Sequence, residues 1–378
     1  MANGTHKDYG TYSLTGASLL TIPNVDSKGN VDFFAPPPQN AKLLGNGGGG
    51  TLKRKLSNAT LPVAKKQALN VPPPAPPPAF NSVCVMDVGQ GNCNMLIGSN
   101  NEPAAYFDVG YPLWFYRNTA PANLAVGAGA PSGPIPQNTA GNMQVFLSHW
   151  DWDHWRLGHT WPALAALPWH VPNQPTGPSA LNFFNALPNR VVVPALPRAA
   201  PLGNAAILMT SQPPPGAHPA MVMNNTGLAL MIRTQLPAAA PLPYWVVITG
   251  DANFDSLPAP FPLVPGITGI TAVHHGSAAH GADQNLPAPA PGGGAQGRVA
   301  YSSGLSPTGY RPYNFPNPGA LANYQAANWN APQEMDTPEG ANIRGGVMNR
   351  GNIRMGIQTP LAVAYNQTAF FNYPHPLP

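Results

Sequence analysis

The sequence is poor in charged residues, has almost no cysteine and contains no long hydrophobic run. Only 8% of its 378 residues are Asp, Glu, Lys or Arg, so a cluster of charged side chains needs a physical reason. The two cysteines, Cys84 and Cys93, are too few for a disulfide framework, and we expect both to be buried and reduced. Thr15–Ile22 lacks the basic lead-in and cleavage site of a signal peptide, and no run approaches a membrane span. We therefore expect a cytoplasmic protein without a membrane partner.

Proline and glycine are abundant instead, with 50 and 39 residues. Residues 1–79 contain the runs Gly47–Gly50 and Pro72–Pro74 and show no sustained helical or strand period. Such a segment cannot bury enough apolar surface to offset the entropy cost of ordering it. The composition predicts a low-complexity, largely disordered leader over 1–79 and a folded domain over 80–378.

The formal net charge is +4, and much of the excess lies in that leader, at Lys53, Arg54, Lys55, Lys65 and Lys66. A flexible basic segment can contact nucleic acid or an acidic surface, although a solubilising linker is the commoner role. The proline-rich stretch beside it could also dock a protein partner.

Short apolar runs bounded by turn residues predict strands along the rest of the chain. The expected strands are 83–88, 93–97, 104–109, 143–147, 190–193, 227–232, 244–248, 267–273 and 298–302, with a final pair within 348–365. Helices are expected near 159–167 and 320–327. Because the reactive clusters follow strands, the pattern favours a layered α/β fold with its chemistry on loops at the strand ends.

The most informative segment is Ser148–His154, which follows the apolar run 143–147. It places His149, Asp151, Asp153 and His154 within six residues, in a chain with only 14 acidic residues. So many lone pairs and charges are costly to bury unless a metal ion lies among them. The segment therefore predicts a metal site.

Three further elements accompany this segment in order along the chain. They are Asp87-Val88-Gly89-Gln90-Gly91-Asn92 before it, and Thr249-Gly250-Asp251 and His274-His275-Gly276-Ser277 after it. Together the four elements resemble the metallo-β-lactamase fold, and within it the soluble hydrolase domain of ComEC-type DNA-uptake proteins and their stand-alone relatives. The resemblance covers roughly residues 81–318.

The resemblance implies an α/β sandwich of four layers, αββα, with two divalent metal ions, zinc or manganese, along one edge. His149 and Asp151 would bind the first ion, Asp153 and His154 the second, and Asp251 would bridge the two. His275 would complete the second site, with His274 turned toward the substrate; the sequence does not decide between these two histidines. Asp151, Asp251 and His274 are the expected catalytic residues, acting with a metal-bound hydroxide.

The chain departs from the family pattern at two places. Asn224-Asn225 stands where most relatives have a further histidine ligand, and His170 and His218 are expected to be surface residues that do not replace it. The first site is therefore rich in oxygen ligands, which shifts preference from zinc toward manganese or magnesium. Asn317 stands where ComEC-type domains have a histidine, and Asp108 is expected to be a turn residue.

Trp150, Trp152 and Trp155 surround the metal-binding segment. They are expected to pack beneath the site rather than to stack on a substrate. Asp87 is expected to lie near the metals without binding them.

The resulting hypothesis is a metal-dependent hydrolase of a phosphodiester, in a nucleic acid or a nucleotide. Two alternatives stay open: hydrolysis of an ester or lactone, and a non-catalytic metal-binding module that docks a partner in a multi-component system.

Overall fold

The computed structural model describes the residues 80–86, 88, 91–98, 103–110, 143–194, 198–202, 206–213, 215, 219–234, 244–258, 261, 266–277, 286–290, 297–303, 315–329, 334–336 and 353–356. The leader expected over 1–79, Asp87, His218 and most of 348–365 lie outside these residues. No helix in the described part is long and apolar enough to cross a membrane.

Fourteen strands and five α-helices make up this described part. The strands are β1 Phe80–Val85, β2 Cys93–Gly98, β3 Pro103–Val109, β4 Gln144–Phe146, β5 Trp169–Pro172, β6 Arg190–Val193, β7 Arg198–Leu202, β8 Ala206–Thr210, β9 Leu228–Thr234, β10 Tyr244–Ile248, β11 Ile267–Thr271, β12 Arg298–Tyr301, β13 Glu334–Asp336 and β14 Ile353–Met355. The helices are α1 Trp152–Thr160, α2 Pro162–Ala165, α3 Pro178–Ala186, α4 Pro219–Asn224 and α5 Pro318–Ala326.

The strands form two seven-stranded mixed sheets, in the orders β14-β1-β2-β3-β4-β5-β6 and β13-β12-β11-β10-β9-β8-β7. In the first sheet β3 to β6 run parallel, and in the second β10 to β13 do. The other neighbouring pairs are antiparallel. Each sheet therefore presents several strand C-termini on one edge, where loops can converge.

Three apolar clusters define the layers. One joins the two sheets, because alternate residues of β1 such as Val83 and Val85 share a cluster with Leu230 and Ile232 of β9. A second covers the outer face of the first sheet with α1 and α3. A third covers the second sheet with Tyr324 of α5. The predicted four-layer αββα sandwich is confirmed.

Most of the predicted strands are present, but the middle of the chain contains elements that the sequence patterns did not reveal. β5, β7, β8, α3 and α4 are short, and prolines interrupt or begin several of them. The helix predicted near 159–167 is wrong in its start, because α1 begins at Trp152 and ends at Thr160, and Pro162 begins α2. Proline suits a first helical turn because its missing N–H would have no partner there.

Candidate metal centre

The metal-binding segment is half loop and half helix. His149 and Asp151 lie in the loop after β4, with Asp151 in extended backbone at the N-cap of α1, whereas Asp153 and His154 belong to the first turn of that helix. All four side chains are buried, with at most 2% of each residue exposed. Gly110 lets the loop after β3 approach this turn, because a Cβ there would collide with the carbonyl of Asp153.

Two strand ends of the second sheet face this segment. Asp251 follows β10, and His274-His275 follows β11. Gly250 has a φ of 60°, and a Cβ at this position would lie 2.5 Å from the Ser148 side chain. Glycine adopts this conformation without strain and allows the Asp251 loop to approach the first sheet.

The carboxylate of Asp251 lies between His154 on one side and His149 and His274 on the other. Its Oδ1 is 3.2 Å from His154 Nε2, while its Oδ2 is 3.5 Å from His149 Nε2 and 3.5 Å from His274 Nδ1. His149 Nε2 is also 3.2 Å from Asp151 Oδ2. The two oxygens of Asp251 therefore face different histidines, an arrangement that would allow the carboxylate to bridge two ions.

The Oδ1 side is completed by Asp153 and His275. His275 Nε2 lies 3.1 Å from Asp153 Oδ2, and His154 Nε2 lies 3.9 Å from Asp153 Oδ1. Two sets of potential ligand atoms, one atom per residue, lie within 4.8 Å of one another. The first set comes from Asp153, His154 and His275, and the second comes from His149, His154 and Asp251. The structure thus brings together all seven predicted site residues, including His274.

The separations of 3.5 Å from Asp251 Oδ2 to His149 Nε2 and His274 Nδ1 suit ligands of one cation, whereas His275 Nε2 and Asp153 Oδ2 are at hydrogen-bond distance, 3.1 Å. Two atoms bound to one ion at about 2.0–2.2 Å stand about 3.3–3.6 Å apart at a tetrahedral angle. His149 Nε2 lies 3.2 Å from Asp151 Oδ2 and 3.5 Å from Asp251 Oδ2, and none of these three buried atoms has a partner in hydrogen-bond geometry. Buried polar atoms are normally satisfied, so their convergence without hydrogen bonds fits a cation between them.

Hydrogen bonds orient three of the histidines in the same way. His154 Nδ1 donates to Asp108 Oδ2 across 2.8 Å, and His275 Nδ1 donates to the Ser302 carbonyl across 2.6 Å. His149 Nδ1 lies 3.0 Å from Ser148 Oγ, which donates its own proton to Asp108. With the proton held on Nδ1, the Nε2 lone pair of each ring is available to a metal.

The electrostatics reflect a crowded anionic pocket. Burial and His154 lower the pKa of His149, but the carboxylates of Asp151 and Asp251 outweigh them and raise it to about 9. Burial raises the pKa of Asp251, yet His274, His154 and His149 hold it well below its usual range. Burial raises the pKa of Asp151 against the opposing charge of His149. The same field that holds protons on these histidines would attract divalent cations.

Asp108 is the functional residue that the sequence patterns missed. The expectation that Asp108 is a turn residue is wrong, because the residue is buried and holds other residues in place. In addition to the proton of His154, its carboxylate accepts hydrogen bonds from the Ser148 N–H at 2.7 Å and the Ser148 hydroxyl at 2.8 Å. Its φ of 60° is uncommon for a residue other than glycine. The signal available in the sequence was an acidic residue at the end of a predicted strand, shortly before Gly110.

The two asparagines near the site contact its histidines directly. Asn224, at the position of the absent histidine, has its Nδ2 3.1 Å from His274 Nδ1. Asn92 has its Nδ2 3.4 Å from Asp251 Oδ1 and 3.4 Å from both ring nitrogens of His154. Both residues are buried.

Asn317 lies outside the cluster and caps α5, with its Oδ1 accepting a hydrogen bond from Gly319 N at 2.9 Å. Trp150 and Trp155 are fully buried in the core beneath the site, as expected, and Trp152 is half-buried against it. His170 is half-buried rather than on the surface, and it stacks on Phe146.

No family model matches the sequence, and no curated protein matches it significantly. Among solved structures, the chain is similar to Tm1679, described as a metal-dependent hydrolase of the beta-lactamase superfamily, at 11% identity and a TM-score of 0.36. That match covers 73% of this chain and 99% of Tm1679.

Two further structures show comparable likeness. The metallo-beta-lactamase fold protein YhfI from Bacillus subtilis matches at 12% identity and a TM-score of 0.33, over 68% of this chain and 95% of YhfI. CmlA, a diiron beta-hydroxylase from Streptomyces venezuelae, matches at 13% identity and a TM-score of 0.36, over 75% of this chain and 55% of CmlA. These likenesses are distant, so the residue roles below rest on the distances within this chain.

Proposed function

We propose that this protein is a metal-dependent hydrolase with two divalent cations, zinc or manganese, and that its substrate is a phosphodiester of a nucleic acid or nucleotide. The observation that carries the proposal is the position of the buried Asp251 carboxylate: Oδ1 lies beside His154, and Oδ2 lies beside His149 and His274. His149 pairs with Asp151, Asp153 pairs with His275, and His154 belongs to both candidate ligand clusters.

Two cations held by these residues would lower the pKa of coordinated water and would stabilise negative charge on the scissile group. The residues of the chain hold and orient that centre. Asp251 shares its charge between both positions, Asp151 adds charge to the first, and Asp108 keeps the His154 proton on Nδ1. Burial of these groups excludes competing water and strengthens their electrostatic attraction to cations.

The choice of a phosphodiester is supported by the resemblance of the four sequence elements to ComEC-type domains. The distant structural likeness covers proteins of different activities, so it does not select a substrate. Within this proposal a nucleic acid or nucleotide is the binding partner, and the proline-rich leader docks a further protein component.

The test is hydrolysis of single-stranded DNA, RNA and a small bis-aryl phosphodiester, with manganese, magnesium or zinc supplied in turn. We expect cleavage of at least one substrate by protein shown to carry its metals, and none by Asp251→Ala. Metal-loaded protein that cleaves none of the three but hydrolyses an ester or lactone contradicts the phosphodiester. Loaded protein without any hydrolysis favours the non-catalytic partner module.

A further inference from the structure

The first metal position has an incomplete set of nitrogen ligands. Around Asp251 Oδ1, the second position can draw nitrogens from His154 and His275. The segment after β4 places His149 Nε2 3.5 Å from Asp251 Oδ2, whereas its second histidine, His154, lies beside Oδ1 at 3.2 Å. Asn224 stands where most metallo-β-lactamase-fold relatives with a full two-zinc site have another histidine, although ComEC-type domains also tend to have Asn-Asn there. An amide nitrogen does not bind metal ions.

Among the described histidines, one other ring reaches this position. His274 Nδ1 is 3.5 Å from Asp251 Oδ2, the same separation as His149 Nε2 from that oxygen. This is the spacing of two ligands on one ion with bonds of about 2.0–2.2 Å. His170 instead hydrogen-bonds to Gln144, and His159 packs against Trp152 and Trp155.

The backbone directs the two adjacent imidazoles to different groups. His274 has a φ of 46° and His275 a φ of 56°, a left-handed conformation that costs energy in residues with a Cβ. The turn is held by Val273 N–H donating to Tyr324 Oη across 2.9 Å and by Asn317 N–H donating to the Gly276 carbonyl across 2.8 Å. Consequently His275 Nε2 faces Asp153, whereas His274 Nδ1 faces Asp251 Oδ2.

We propose that His274 binds the first cation through Nδ1, supplying the nitrogen that Asn224 cannot. The inference rests on the proposed metal-dependent function and changes the role that the sequence predicts for His274, from a group facing the substrate to a ligand. The contact between His274 Nδ1 and Asn224 Nδ2 agrees with it, because an amide donor at 3.1 Å leaves a lone pair on Nδ1. The cation and the amide compete for that lone pair.

The decisive variant is His274→Gly, because glycine adopts the left-handed conformation without strain and removes only the ring. Purified metal-free wild type, His274→Gly and Asn224→Ala are titrated with cobalt(II), with bound metal per chain and the visible absorption spectrum as readouts. His274→Asn, which tolerates the same backbone conformation, repeats the measurement, and thermal melting verifies that each variant folds.

Loss of a hydrogen-bond partner of a ligand typically weakens metal binding 10–100-fold. We therefore expect His274→Gly to keep one ion and to bind the other about 100-fold or more weakly, with an altered spectrum. Added imidazole should restore both the binding of the weakened ion at the first position and the wild-type spectrum. Asn224→Ala should bind both ions at least as tightly as the wild type, since it removes the competing donor.

A His274→Gly protein that binds both ions with less than about tenfold weakening overturns the inference. An Asn224→Ala protein as weak as His274→Gly also overturns it, because the two residues would then act as a hydrogen-bonded pair. Neither result affects the hydrolase proposal, which fails instead if the wild type binds no metal. Wild type with two ions and no hydrolysis leaves the ligand role of His274 intact.

Discussion

His154 donates its Nδ1 proton to Asp108 Oδ2 across 2.8 Å, joining α1 to the end of β3, 46 residues earlier in the chain. Both side chains are fully buried. The carboxylate fixes the tautomer of His154 and leaves Nε2 facing Asp251. Asp108 thereby determines the orientation of a proposed ligand without contacting the metal position itself.

We expect Asp108→Asn to weaken metal binding at the second position about 10–100-fold. Asparagine tolerates the left-handed backbone at this residue, so the fold should persist while the negative charge is lost. Competition titration with a chelator measures the affinity, and Asp255→Asn, outside the cluster, is the control. Unchanged affinity in Asp108→Asn would show that Ser148 alone orients the histidines.

We expect Asp251→Ala to empty both metal positions and Asp151→Ala to empty only the first. The reason is that the two oxygens of Asp251 lie beside His154 and His149, whereas the Asp151 carboxylate pairs with His149. Metal content per chain after dialysis distinguishes the two variants. If Asp251→Ala keeps two ions while Asp151→Ala loses both, the proposed bridging role is reversed.

Asn317→Ala should destabilise the protein by about 1 kcal/mol without changing its metal content. The side chain caps α5, and loss of an N-cap typically costs this much. Chemical denaturation measures the free energy of unfolding, and Asn317→Ser, which can still cap, is the matched control. A loss of bound metal in Asn317→Ala would place this residue in the functional centre after all.

His170 should make the metal-free protein less stable at acid pH. Burial lowers the pKa of His170 to about 4, whereas an unfolded chain holds histidine near 6.5. The unfolded state therefore binds the extra proton first, so stability is full above about pH 6.5 and falls as the pH drops toward 4. His170→Gln removes this titration, and the wild type should lose up to about 3 kcal/mol more than the variant over this range. Parallel stability curves, measured by urea unfolding, would contradict the assignment.

A chain beginning near Phe80 should keep the melting temperature of the full-length chain. The basis is the proline and glycine bias of residues 1–79 and their lack of periodicity. Phe80 is fully buried and begins β1, so it has to be retained. Thermal unfolding of the two proteins provides the comparison, and a loss of many degrees would show that the leader packs on the domain.

Most strands and the cluster of His and Asp side chains were predictable because both depend on local patterns. Short apolar runs identified β10 and β11, and the density of His and Asp in one short segment indicated a metal site. The start of α1 was not predictable from apolar periodicity, since its first turn carries Asp153 and His154 in place of a hydrophobic stripe. β7 was missed for a related reason: its alanines and proline carry little strand signal. β8 is a short apolar run, Ala206-Ile207-Leu208-Met209-Thr210, that the sequence patterns should have identified.

Local sequence was enough to specify which side chains can bind metal and in which order they follow the strands. Their grouping depends on the tertiary structure, because the contacts join residues far apart: Asp153 meets His275 across 122 positions and Asn92 meets Asp251 across 159. Which oxygen of Asp251 faces which histidine depends on how the two sheets pack. The role of Asp108 likewise depends on the packing of β3 against α1, and local sequence carries no information about such long-range geometry.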